Sequence, residues 1–263
     1  MRPTQGQDWL LPIVLGLIGT AWVALLLWGQ TPYSRYLQHG DWAEPGLFTP
    51  ICRALPGAGL VLPALLYTGG WVLMIGAMML PTVLPLLNRF ELMAAGRRDR
   101  AALVALLISG YLLAWTGFGL GAHALDMTLH AVATRSVWLL AHAWLPGAVL
   151  LTLAGLFQFS RIKYRCLDQC RAPLSFIIRH WHGVSPRHEA FRLGVDHGVF
   201  CIGCCWAIML LMFVVGTGNV GWMLLLGAVM AIEKNAAWGR ELSRPLGAGL
   251  VAGGIFIAIV NAI

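Results

Sequence analysis

The chain has 263 residues, of which 59% are hydrophobic and only 11% charged, and its mean hydropathy is +0.74. That balance excludes a soluble globular domain with a polar surface and predicts an all-α polytopic transmembrane helical bundle. A net charge of +7 in a soluble protein would point to nucleic acid, but here membrane topology accounts for the arginines and nucleic acid is set aside as a partner.

The first apolar run, residues 9–29, follows Arg2 and precedes no small-residue cleavage site, so a retained first span is expected rather than a signal peptide. Residues 30–58 carry Arg35, His39, Asp41, Glu44, Cys52 and Arg53, and their length predicts a folded extramembrane loop. The second span covers about 60–87. Within it Met74 and Met78 share a face, and Pro81 and Pro85 should kink the helix. A thioether there either packs or ligates Cu(I). After a short basic loop, 88–100, the third span runs over 101–122, with the polar stretch His123–His130 as a candidate helical extension.

The fourth span, 136–159, places His142 one to two turns inside its start. A long basic connection, 160–196, holds Cys166 and Cys170 together with His180, His182 and His188. The fifth span, 197–216, turns tightly at 217–219 into the sixth, 220–235, which ends on Glu233 and Lys234. Pro245 is expected to start a seventh span, 245–263, whose Gly247, Gly249, Gly253 and Gly254 suit close helix packing. No internal repeat or low-complexity segment interrupts this single integral membrane domain.

With the N-terminus in the cytoplasm, 15 of the 18 Lys and Arg residues fall on inner segments, leaving Arg35, Arg53 and Arg135 outside. The positive-inside rule thus favours about seven spans across a cell inner membrane, with the C-terminus outside. Five of the six cysteines then lie at or toward the cytoplasmic face, where thiols stay reduced; Cys52 is alone outside.

Two polar clusters emerge. On the inner side His197, Cys201, Cys204 and Cys205 occur at i, i+4, i+7 and i+8, one face of a helix. Imidazole and thiolates in that pattern suit soft metals, copper first, with zinc or iron as alternatives. Cys166 and Cys170 either complete this site or form a relay at its mouth. The competing reading is that cysteine is a small apolar core residue. Glu233 should lie at nearly the depth of Cys204, about 20 Å from the outer turn. An acid at that depth is either part of the site or ion-paired with an inner-loop cation.

On the outer side His123, Asp126 and His130 stand at i, i+3 and i+7, with His142 from the next helix. Imidazoles and a carboxylate suit copper, iron or zinc and can leave a position open for oxygen or substrate. Solvated histidines and a helix-capping Asp126 are the alternative.

The ordered pieces Trp71…Ala77-Met78-Met79-Leu80-Pro81, Gln158, Lys163, Cys166-Leu-x-x-Cys170-Arg171-x-Pro173-Leu-x-Phe176, His197-Gly-x-x-Cys201-x-Gly-Cys204-Cys205-Trp206-Ala-x-Met209 and Glu233-Lys234 together resemble a bacterial family of predicted metal-binding integral membrane proteins, a family of unknown function with a Gly-Cys-Cys-Trp motif. The resemblance spans roughly residues 70 to 255 and implies a bound metal. Separately, Asp126-x3-His130-x11-His142 looks like the Asp-x3-His-x12-His copper ligands in the membrane-embedded part of particulate methane and ammonia monooxygenases, one residue off in spacing.

Three functions follow as expectations. The first is copper binding, storage or transfer through the inner Cys/His site, with a metal-donor protein or other subunits as partners. The second is a subunit of a copper-dependent membrane monooxygenase or oxidase using the outer site. The third is a metal-free scaffold subunit, so enzymatic activity stays open at this point. No P-loop, Gly-x-Ser-x-Gly, dinucleotide fingerprint or His-Glu-x-x-His occurs in the sequence.

Overall fold

The computed structural model describes residues 10–30, 61–133, 135–142, 144–215 and 220–262, with the side chains of 29, 61–67, 126, 127, 130, 133, 140, 213–215 and 262 left out. Among these residues the chain is all-helical. In order come α1 (Leu10–Gly29), α2 (Val61–Met78), α3 (Leu80–Met93), α4 (Arg100–Ala133), α5 (Val137–Ala141), α6 (Leu145–Phe157), α7 (Arg161–Arg171), α8 (Pro173–His180), α9 (Pro186–Val215), α10 (Val220–Asn235) and α11 (Gly239–Ala262). Residues 31–58 of the expected loop, Cys52 among them, and the turn 217–219 lie outside the described residues.

Among the described residues four helices, α1, α4, α9 and α11, are long and apolar enough to cross a membrane. Two bent pairs raise the number to six if each is one span, α2 with α3 and α6 with α7. The first pair bends by 65° at Met79. Pro81, in the first turn of α3, has no N–H to give Ala77, so the ladder breaks, and Thr82 N–H bonds instead to Met79 O at 3.0 Å. The second pair bends by 64°, and Ser160 caps the new helix by accepting from Lys163 N–H at 3.1 Å.

Several expected boundaries move. The fourth span is not one helix: α5 ends at Ala141 and α6 begins at Leu145, with Pro146 in its first turn. The connection 160–196 is largely helical, because Ser160 caps α7 and Lys163 and Leu167 bury one face of it. Helix α9 starts at Pro186, eleven residues before the expected 197. There the Glu189 carboxylate gathers the backbone N–H groups of His182, Gly183, Val184 and Ser185 at 2.7–3.0 Å, which stabilises an N-terminal turn. Helix α11 starts at Gly239, so Pro245 lies inside it and removes only the bond to Glu241 O near its start.

The continuous α4 does run through 123–130. Its partner is α9, and the two cross closely because a Cβ on Gly194 would stand 2.0 Å from Leu107 O, and one on Gly110 2.2 Å from Phe191 O. Helices α11 and α6 pack in the same manner at Gly247 and Gly254, whereas Gly249 and Gly253 face open space. The core gathers Trp71, Met74, Met78, Met79, Phe90, Tyr111, Trp115 and the Cys201–Met212 face of α9. Large apolar side chains such as Leu27, Leu113, Phe256 and Val260 point outward.

Candidate metal centre

The cysteines of α7 and α9 converge. On α9, Cys201, Cys204 and Cys205 are all buried, and Cys170 reaches over from α7 with its Sγ 4.0 Å from that of Cys204. Cys166, one turn earlier and partly exposed, lies against Gly203, where a Cβ would stand 2.6 Å from its Sγ. The glycine is therefore what lets the thiol side of α7 seat on α9.

The three sulfurs of α9 are not equivalent. Cys204 and Cys205 each donate S–H to Cys201 O, at 3.1 and 2.9 Å. Cys201 Sγ has two strong donor groups beside it, the Tyr111 hydroxyl at 3.0 Å and the Lys234 ammonium at 2.9 Å. That environment favours sulfur as an acceptor, the form in which it is also a metal ligand. His197, one turn before Cys201, is buried between Phe176 and Tyr111, with ring centroids 5.2 and 6.1 Å away, and its Nδ1 has no hydrogen-bond partner among the described residues. A buried unpartnered nitrogen is costly, and a cation ligated there would relieve the cost.

Glu233 and Lys234 diverge from the end of α10. Glu233 accepts from Lys163 Nζ at 2.7 and 2.9 Å and from Ser243 Oγ at 2.6 Å, and Lys163 also bonds to Gln158. Both charged groups are almost wholly buried, with side-chain exposures of 0% and 2%. Arg171 donates to the carbonyls of Glu233 and Ala237 at 2.6 and 3.0 Å. The carboxylate is thus taken up in the ion pair weighed as the alternative to a metal role, with the cation supplied by Lys163. Lys234 points the other way, into the sulfur cluster. Sequence reasoning passed over it, though a Glu-Lys pair closing an apolar span at the cysteines' level was the available signal.

Among the expected outer residues, His142 hydrogen-bonds Trp138 O through Nδ1 at 2.8 Å and stacks on the Trp138 ring at 4.5 Å. His123 lies on α4; the side chains of Asp126 and His130 are outside the described residues. Met74 and Met78 are buried in the apolar core, and Met79 is the thioether beside Lys234, 3.9 Å from its Nζ. Among the described residues no three His, Cys, Asp or Glu side chains are already closed around one point as a metal cage. The sulfurs instead form a chain from the partly exposed Cys166 inward.

Fold and site define an all-helical protein built on a buried, thiol-rich helix crossing. The chain belongs to the family described as PpoB2, copper chaperone, which matches residues 68–257. No curated protein and no solved structure matches it.

Proposed function

We propose that this chain is an integral membrane copper chaperone whose cargo, Cu(I), is held by Cys170, Cys201, Cys204 and Cys205, with His197 beside them. The observation that carries the reading is the convergence of α7 and α9 thiols, with Cys170 and Cys204 sulfurs 4.0 Å apart and Cys201 facing a lysine ammonium. Copper-chaperone family membership supports it. Soft thiolates prefer Cu(I), and a loose set of sulfurs suits an ion that must be given up again. Cys166 is the entry and exit point: it is partly exposed, and one helical turn separates it from Cys170. Transfer proceeds by sulfur replacing sulfur on the metal, with no change of oxidation state.

The outward apolar faces of α1, α4 and α11 lie against lipid. Counting the shorter, 16-residue α10 beside the four long helices and the two bent pairs gives seven spans, with the N-terminus in the cytoplasm. In the inner membrane this puts the cysteines on the cytoplasmic half, and a copper-donating or copper-accepting protein docks at the α7 end. The test is elemental analysis of protein loaded anaerobically with Cu(I) in detergent. Wild type should retain copper and the Cys201/Cys204/Cys205→Ala variant should lose it. Equal copper in both would overturn the assignment.

A further inference from the structure

We propose that Lys234 is a specificity-determining residue of the sulfur site, its fixed positive charge favouring a monovalent soft cation over a divalent one. The inference rests on the copper reading above and deepens it.

Lys234 is 5% exposed, and its ammonium is surrounded by acceptors from α9, from α3 and from Met79 at the break between α2 and α3. Cys201 Sγ stands at 2.9 Å, Thr82 Oγ1 at 3.3 Å, Cys205 Sγ at 3.8 Å and Met79 Sδ at 3.9 Å. The Thr82 hydroxyl gives its own hydrogen to Met79 O at 2.8 Å, so its oxygen is left to accept from the ammonium. The adjacent Glu233 is turned to Lys163 and Ser243, and among the described residues no carboxylate forms an ion pair with Lys234. Among the described residues its charge is therefore met by sulfur and the neutral Thr82 hydroxyl rather than by a carboxylate.

A metal ligated by Cys201 becomes a near neighbour of this charge. For any given set of ligands, repulsion from the ammonium doubles when the metal charge goes from one to two. For one shared set of thiolate ligands, the attraction between Lys234 and the sulfurs is common to both metals. What remains in the ratio is the charge term, and in a buried site it is weakly screened. The ligand class selected is a monovalent, sulfur-seeking ion, Cu(I) or Ag(I), over Zn(II) or Cd(II).

The test uses full-length protein in detergent under anaerobic conditions, titrated against a chromophoric chelator for Cu(I) and another for Zn(II). Wild type is compared with Lys234→Gln, which removes the charge but can still bond Thr82, and Lys234→Arg, which keeps it. The Zn(II)-to-Cu(I) affinity ratio should rise between about tenfold and about a thousandfold in Lys234→Gln and stay within about threefold in Lys234→Arg. An unchanged ratio in Lys234→Gln, with both metals still bound, overturns the role of Lys234 and leaves the copper site standing. Failure of wild type to bind Cu(I) overturns both. Should Lys234→Gln not fold, Lys234→Met, which fills the same apolar space without the charge, carries the same expected rise, and an unchanged ratio there refutes the proposal.

Discussion

Replacing Glu233 by Gln leaves the Lys163 ammonium buried against neutral amides only, that of Gln158 and the new one, in place of a carboxylate that held it at 2.7 and 2.9 Å. Both partners are essentially inaccessible, so water cannot take over. Breaking such a pair from one side costs about 3–5 kcal/mol, because the remaining charge keeps its desolvation penalty and loses its partner. For a chain of this size that is a fall in Tm of about 6–20 °C. Lys163→Met alone should behave similarly, since Glu233 would retain only the Ser243 hydroxyl. The double variant Lys163→Met/Glu233→Gln removes both charges and should recover most of the loss. Thermal unfolding in detergent, read by reaction of a thiol-specific dye with the buried cysteines, gives all four corners of the cycle. Additive losses in the double variant would refute the reasoning, for they would mean that the two charges do not depend on each other.

Other expectations come from the helix crossings and caps. Gly203→Val brings a branched side chain onto Cys166, already 2.6 Å from a hypothetical Cβ, and should destabilise by about 1–3 kcal/mol while making Cys166 more reactive to alkylation. In Gly194→Val the clash is with backbone, Leu107 O at 2.0 Å, which cannot swing aside. That variant should lose the α4–α9 crossing and fail to yield monodisperse protein, whereas Gly249→Val, facing open space, should purify normally. Glu189→Ala frees four backbone N–H groups at the start of α9. Hydrogen exchange at 182–185 should accelerate by at least about tenfold, with protection around Cys201 unchanged.

The apolar runs made the helical class and the approximate place of the long helices legible, because hydropathy over some twenty residues is a strong signal. Boundaries were less legible where local capping decides them. Glu189 extends α9 back to Pro186, and Pro245 sits inside α11, since proline near a helix start removes a single bond. The shared face of His197, Cys201, Cys204 and Cys205 followed from helical spacing, and α9 is one continuous helix through them. What spacing along one helix could not give was the long-range pairing. That Cys170 approaches Cys204, that Lys163 answers Glu233 and that Lys234 enters the sulfur cluster all depend on how α7 and α10 pack on α9. Lys163 and Lys234 also show why a charge count along loops is coarse: both are buried rather than set at a membrane surface.

X-ray absorption at the copper edge of the Cu(I)-loaded protein tests the central claim most directly. A first shell dominated by sulfur, lost in the Cys201/Cys204/Cys205→Ala variant, is the predicted result. A shell made only of nitrogen and oxygen, unchanged in that variant, would contradict the thiol site and move the copper away from the α7–α9 crossing.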